Sequence, residues 1–516
     1  MRALRLLGRI FLFLASTSAS VHSAHGAVIS SCDQAGLETA VASGGNFAFA
    51  CDATITLTST LNISNHLVLD GTGHNIVING NNAVRLFQVA PGAYLELVNL
   101  SLVNGRYVGT KGVNGANGTQ AQPGESANGG AILVQNGNVL LTSCILSNNS
   151  VLGGVGGSYS GPDMLGAKSG GAGNGGAICV INGELSATGC VFARNWAMGA
   201  TGGNTFKDLS FAPPGSSYGG AVCNVGGNLK LTNNVFVSNL STGSLAVLNT
   251  FNYGPAGAAY GGAIHSEGGQ ASLIGSSFVS NVAGGGFVAV NGGSVGNGNG
   301  GGLSVTNGAI LVRLCSFEKN RALGGNAGRF AGVGKGFGGA IFNQGTIDVS
   351  DTTLSGNSAI TGRSANAGFE SAGGGVYNAG RGTFNRCLLV ENLTLGGLAN
   401  SIQGGGGNGG DGLGGGIYNL SMLLMTNSTL MKNVAQGQNG TFNMYNVRGQ
   451  GGAGKGGALC NAGGEAVLMN VTIVTNKILN GIGITNGAGA GGGIYSTNGT
   501  VTLLNTIVAH SPSGSN

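Results

Sequence analysis

The sequence predicts an all-β chain wound as a parallel β-helix, a solenoid with a short N-terminal capping helix. Three observations carry that reading. First, Gly-Gly-(Ala/Gly)-(Ile/Val/Leu) recurs ten times, with first glycines at Gly129, Gly175, Gly219, Gly261, Gly300, Gly338, Gly373, Gly414, Gly456 and Gly491. Each copy is closed by an apolar residue at Leu146, Phe192, Phe236, Phe278, Phe317, Leu354, Leu389, Leu430, Ile473 and Ile507. The two are always 16 or 17 residues apart, whereas the blocks start 35 to 46 residues apart. A fixed block joined by elastic connectors is the mark of a solenoid. Second, apolar residues alternate at Val139/Leu141, Leu229/Leu231, Ile310/Val312 and Ile347/Val349, a period of two that marks strand. Third, these runs are β-branched, rich in Asn and broken by Gly, which argues against helix.

A block of about 20 residues makes a few short strands round one coil, and equivalent positions stack roughly 4.8 Å apart. Two asparagine columns are therefore expected to form structural ladders, each amide bonding the next. One runs through Asn148, Asn195, Asn239, Asn281, Asn320, Asn357, Asn392, Asn433 and Asn476. The other runs through Asn343, Asn378, Asn419 and Asn461. Cys144, Cys190, Cys315 and Cys387 share a small-residue position just before the closing motif, and Cys179, Cys223 and Cys460 share one after the opening motif. Neither set has zinc spacing.

Taken in order, residues 1–26 read as a secretory signal, with Arg2, Arg5 and Arg9 ahead of the apolar run 10–15. Residues 27–52 read as an N-terminal cap, with Cys32 and Cys51 as a disulfide that export permits. Asp33 is a candidate N-cap for a helix ending at Ser43, stopped by Gly44-Gly45. Residues 53–128 hold the first irregular coils and the first connector, and 129–510 the ten-repeat helix. The connectors all leave one point of the coil, so a row of loops along one edge is expected, serving as a binding surface or as Gly-rich slack. Residues 511–516 read as a truncated tail, so a missing C-terminal domain or a partner is expected to cap the last coil.

Composition narrows the function. Of 516 residues 106 are Gly and only 8% are charged. Without the three signal arginines the formal charge of +5 falls to about +2, which gives no electrostatic case for nucleic acid. No apolar run reaches the roughly 20 residues of a membrane-spanning helix. Glycan cleavage needs converging carboxylates, or acids holding Ca²⁺ beside a base. The 17 acidic residues lie mostly alone in separate blocks. Asp348 and Asp351 are the closest pair, and three apart on a strand they would face opposite sides. His265 reads as a spectator, and Arg313, Lys319 and Arg321 near Glu318 as a solvated patch. The stretch 406–414 fits one Ca²⁺-binding nonapeptide, but such sites need tandem copies. No catalytic residue, cofactor or metal is expected.

Six Gly-Gly-Ala copies, at Gly129, Gly175, Gly219, Gly261, Gly338 and Gly456, alternate with Phe-x-x-Asn at Phe192–Asn195, Phe236–Asn239, Phe278–Asn281 and Phe317–Asn320. Over about residues 129–510 this resembles the repeats of the polymorphic outer-membrane protein family, and the first coils resemble the pectin-lyase-like β-helix class. The resemblance implies an exported right-handed parallel β-helix at the cell surface or outer membrane. It implies an adhesin-like passenger, or a structural or interaction rod, meeting an unknown surface ligand or glycan without catalysis. No stretch of these residues reads as the family's C-terminal autotransporter barrel, which is expected, if present, beyond Asn516. The alternative is a polysaccharide-binding or polysaccharide-degrading enzyme on the same fold, which three acidic side chains converging on one face would favour.

Overall fold

The computed structural model describes residues 26–161, 166–205, 212–245, 256–287, 294–327, 332–364, 367–399, 406–443 and 445–512. The expected signal, apart from Gly26, and positions 513–516 of the tail lie outside them. The chain is a right-handed parallel β-helix built from long parallel sheets of 14, 13, 12, 10 and 9 strands, the hand that right-twisted strands favour. One coil shows the plan. Ile132–Gln135 joins the 12-stranded sheet, Asn138–Thr142 the 14-stranded one and Ile145–Ser147 the 13-stranded one. Ser150–Leu152 then starts the connector in the 10-stranded sheet, and Gly173–Asn174 ends it in the 9-stranded one.

Alternation places the core. Val139 and Leu141 are buried while Leu140 between them is partly exposed. Leu146, Phe192, Phe236, Phe278 and Phe317 are in register. The four Phe rings stack face to face at 4.7, 4.8 and 4.4 Å, burying large apolar area at each step. The opening glycines have two distinct jobs. Gly219 sits at φ 65, a left-handed conformation that a side chain resists. A Cβ on Gly220 would run into the Gly262 carbonyl of the next coil.

The first coil is covered by helix α1 (Gln34–Ser43). Asp33 caps it, accepting from the Gly36 N–H at 2.8 Å, and Gly44 ends it at φ 63. Its buried residues are Leu37 and Ala40. Cys32 and Cys51 are disulfide-bonded beside it.

The first asparagine column needs one correction, and the closing apolar series another. Arg194 and Asn195 follow Ala193, which pairs with Ser147, so the partner of Asn195 is Asn149 and not Asn148. Asn148 lies in the turn at φ 56 and is exposed, whereas Asn149 is fully buried. From Asn149 to Asn476 each Nδ2 donates to the next Oδ1 at 2.9–3.0 Å. In the last coil Val508, not Ile507, pairs with Ile473. Ser511 then takes the next rung, its Oγ accepting from the Asn476 N–H at 3.3 Å. The second column bonds likewise from Asn343 to Asn378, Asn419 and Asn461 at 2.7–2.8 Å. The small-residue column is a third ladder: the N–H of Cys190, Cys315 and Cys387 donates to Asn234, Thr352 and Ser428. Most of its positions carry a small acceptor, whereas the buried Val471 fills one as a hydrophobe whose own N–H donates to Thr506.

The connectors are not independent loops. Their outbound legs bond at every third residue: the N–H groups of Gly109, Gly112 and Gly115 donate to the Leu152, Val155 and Ser158 carbonyls of the next connector at 2.8–2.9 Å. Return legs tie back, with Gln122 donating to Val113 and Glu125 to Thr110. They are also gripped by the next coil, Gly154 donating to Glu125 and Gly157 to Gln122. A period of three with no hydrogen bond inside a leg is the polyproline-II pattern. The legs stack into a glycine bundle that runs as a fin along the rod, with Tyr159 fully buried inside it. Glycine is required where legs touch: a Cβ on Gly154 would meet the Thr110 carbonyl. The fin is sealed at its first rung by Arg85, whose guanidinium lies 4.0 Å from the Tyr107 ring centroid while Tyr107 donates to Glu125 at 2.6 Å.

Candidate functional site

The site begins with residues just ahead of the opening glycines. Strand Gly336–Phe337 pairs with Ser371–Ala372, and that with Gly412–Leu413. The same register sets Lys335, Glu370 and Asp411 on three successive rungs. Lys455 joins them from Gly454–Lys455, one rung further on. Lys335 Nζ donates to Glu370. Lys455 Nζ donates to Asp411 Oδ2 at 2.9 Å, and the Ala453 N–H donates to Asp411 Oδ1 at 2.7 Å. Glu370, Asp411 and Lys455, with Gly368, Gly409, Gly410 and Leu413, line a cleft of about 360 Å³.

Beside the cleft, the outer face of the 12-stranded sheet carries an aromatic row. Phe342 and Tyr377 stack at 5.1 Å, Tyr377 and Tyr418 at 5.4 Å. Burial raises the Tyr377 pKa, and Glu370 adds to the rise. Burial opposes the Lys455 ammonium, yet Asp411 beside it holds its pKa above the usual value. Because the rings stack along the rod axis, their faces meet each other. What they offer outward is edges and hydroxyls, a surface suited to hydrogen bonding rather than to ring-face stacking. Each groove carboxylate is matched by an ammonium, so the arrangement presents fixed donors and acceptors of both signs.

The acids expected to stand alone divide accordingly. Glu370 and Asp411 are brought together, and their signal was in the sequence: each lies three residues before an opening Gly, as does Lys335. Asp348 faces outward from strand Thr346–Ser350, but Asp351 is not on that strand. It sits in the following turn at φ 51, where Arg386 grips it at 2.6 and 2.8 Å and lowers its pKa, with Arg313 3.9 Å away. That corrects the opposite-face argument. Lys319 pairs with Glu318 at 2.7 Å. Asp411, the one acid of the 406–414 nonapeptide, is occupied by Lys455 and Ala453. His265 is buried against Tyr218 and Tyr260, with Nδ1 3.2 Å from Ser304 Oγ and Nε2 unpartnered. Burial pushes its pKa down to about 3. Burial also raises the thiols of Cys315 and Cys387 to about 11, far from a reactive thiolate. No group of three or more His, Cys, Asp or Glu side chains among the described residues could hold a metal, and no helix there is long and apolar enough to cross a membrane.

No protein-family model matches the chain, and no curated protein matches it. The likeness to polymorphic outer-membrane repeats therefore stands on its motifs. Among solved structures the chain is similar to the Streptococcus pneumoniae surface protein and adhesin PfbA, at 10% identity and TM-score 0.32 over 98% of each chain. It is similar to the catalytic unit of a GH87 α-1,3-glucanase from Streptomyces thermodiastaticus, at 12% identity and TM-score 0.28 over 97% of this chain and 71% of that one. It is also similar to the tailspike of E. coli bacteriophage HK620, at 11% identity and TM-score 0.27 over 91% and 72%. At these identities what the chains have in common is the coiled architecture.

Proposed function

We propose that the chain is an exported, surface-displayed rod that works by binding rather than by catalysis. The observation that supports this most is the charge pairing in the groove. Lys335 holds Glu370 and Lys455 holds Asp411. Asp411 is held by the Ala453 N–H as well, so each groove carboxylate is already engaged within the chain, whereas glycan cleavage needs a carboxyl pair free to serve the substrate as acid and base. The test is to incubate residues 26–516 with a glycan panel, with and without Ca²⁺, and follow unsaturated products and reducing ends. No turnover is expected. Turnover lost in a Glu370→Gln/Asp411→Asn double variant would overturn the reading and make this an enzyme.

The same groove supports a second reading, recognition of a hydroxyl-rich glycan chain without cleavage. Fixed carboxylate acceptors, ammonium donors and tyrosine hydroxyls are the groups such a ligand pairs with. Retention of a neutral glycan that drops in Asp411→Asn would favour it. Unchanged retention would assign binding to another face.

A further inference from the structure

We propose that the outer face of the 10-stranded sheet, with the outbound connector legs beside it, docks on an anionic lipid surface. In this sheet the middle residue of each strand packs inward and the first and third face out: Val151 and Ala197 are buried, while Trp196 is 40% exposed. The outward positions are mostly apolar. The first column carries Trp196, Leu240, Val282, Leu393 and Val434; the second carries Leu152, Met198, Leu323, Ile360 and Leu395. Three residues further on, at the period of the legs, a third column carries Val155, Leu245, Phe287 and Ile482, between 38% and 54% exposed. Ten strands make the face roughly 43 Å long at about 4.8 Å per strand. A mainly apolar face of that extent, interrupted in its first column by Arg106, Ser150, Arg321, Ser358 and Lys477, marks an interaction site.

The charges around it select the partner. Exposed Arg106, Lys111, Arg194, Arg321, Arg363 and Lys477 lie in these columns or in the turn bordering them. Lys319 and Lys432 lie there too, paired with Glu318 and Glu391, the two acids of this face among the described residues. Eight cations stand against two acids on a chain whose formal charge is only +5. A second copy docked here would press like charges together, which disfavours self-association. An acidic glycan would satisfy the cations but leave Leu, Val and Phe with nothing to bury. Acyl chains below anionic headgroups satisfy both, as basic–apolar faces do at bilayer interfaces.

The chain's one tryptophan, Trp196, lies on this face and reports on it directly. Residues 26–516 are mixed with phosphatidylcholine vesicles, with or without 30% phosphatidylglycerol, followed by sedimentation and tryptophan emission. The anionic vesicles are expected to bind the protein, shift Trp196 emission to the blue and quench it when the acyl chains are brominated. Salt should weaken binding, since surface charges are screened. Arg194→Glu/Arg321→Glu/Lys477→Glu is expected to weaken it at least tenfold, and Arg381→Glu, on the outer face of the 14-stranded sheet, less than twofold. Phe287→Ser/Leu393→Ser should diminish the emission shift while leaving salt-dependent attachment. Equal binding to both vesicle types, an unshifted Trp196, loss of binding in Arg381→Glu, or tighter binding of soluble alginate would each overturn the proposal. So would concentration-dependent self-association that buries Trp196 without lipid.

Discussion

Asn320 makes four side-chain hydrogen bonds inside a coil closed to water. Its Oδ1 accepts from the N–H and Nδ2 of Asn281 at 3.0 and 2.9 Å, and its Nδ2 donates to Phe278 O and Asn357 Oδ1 at 2.9 and 3.0 Å. Leucine has nearly the same volume but leaves those partners buried and unpaired, at about 1–3 kcal/mol each. Asn320→Leu is therefore expected to destabilise the rod by about 3 kcal/mol or more, seen as a lower melting temperature with the β-sheet signal retained. The same chemistry tests the register at the first rung. Asn149→Leu should behave like Asn320→Leu, whereas Asn148→Gly, in an exposed left-handed turn, should stay within about 0.5 kcal/mol of the parent. Equal effects would place the ladder on the wrong residue. His265 gives a pH test. Burial holds its folded pKa near 3, below its unfolded value of about 6.5. Between these values the unfolded chain binds the extra proton, so this contribution is complete above about pH 6.5 and is lost as pH falls towards 3, at up to about 1.4 kcal/mol per unit. In His265→Ser, which copies Ser304 of the next rung, the acid-side slope of stability should be shallower by one proton. An identical slope would mean that His265 is protonated in the fold.

At the scale of the element, strands and connectors differ in how plainly the sequence announces them. The strands were legible because a period of two and a fixed block length are both apolar signals, and the core uses both. The capping helix was legible through Asp33 and Gly44-Gly45. The connector fin was not, because its period is three and its repeated residue is glycine, which has no side chain to form an apolar pattern. What holds it is backbone-to-backbone pairing between chain segments about 45 residues apart. The groove was half legible: Glu370 and Asp411 stand at one offset from the opening glycines, but only winding the coil sets them side by side. Asn148 shows the opposite limit, since two adjacent asparagines cannot be told apart until register assigns one to the turn. Because the legs stack, a connector is not free to be shortened. Removing ten residues from the connector 151–174 deletes rungs on which both neighbours depend, so a lower melting temperature and faster proteolysis of the flanking connectors are expected. Gly154→Ala should do the same by forcing a methyl against the Thr110 carbonyl, while Gly73→Ala, where nothing lies within 4 Å, pays only for a left-handed backbone, about 1–2 kcal/mol. Equal loss in the two variants would show that the legs are not in contact.

At the scale of the whole molecule, each coil touches only its neighbours, so stability is a chain of nearest-neighbour terms and the ends need not match the middle. The first coil carries α1 packed over it and the Cys32–Cys51 disulfide. The last described coil is different. Leu503 and Val508 pair with the buried Leu468 and Ile473, yet they are 44% and 45% exposed. Among the described residues, strands Ile494–Ser496, Thr500–Leu504 and Ile507–Ala509 each pair on one side alone. Hydrogen exchange should therefore run as a gradient along the rod. Amides of the middle coils, such as Asn281 and Asn320, should exchange slowest. In the polypeptide 26–516, those of 494–509 should exchange first, because the described strands of that coil have a paired neighbour on one side. Reducing the disulfide should speed exchange in residues 27–56 and leave the middle unchanged, since the bond constrains the cap alone. Uniform exchange along the chain, before and after reduction, would mean that the ladders couple all coils into one cooperative unit and that the nearest-neighbour account fails.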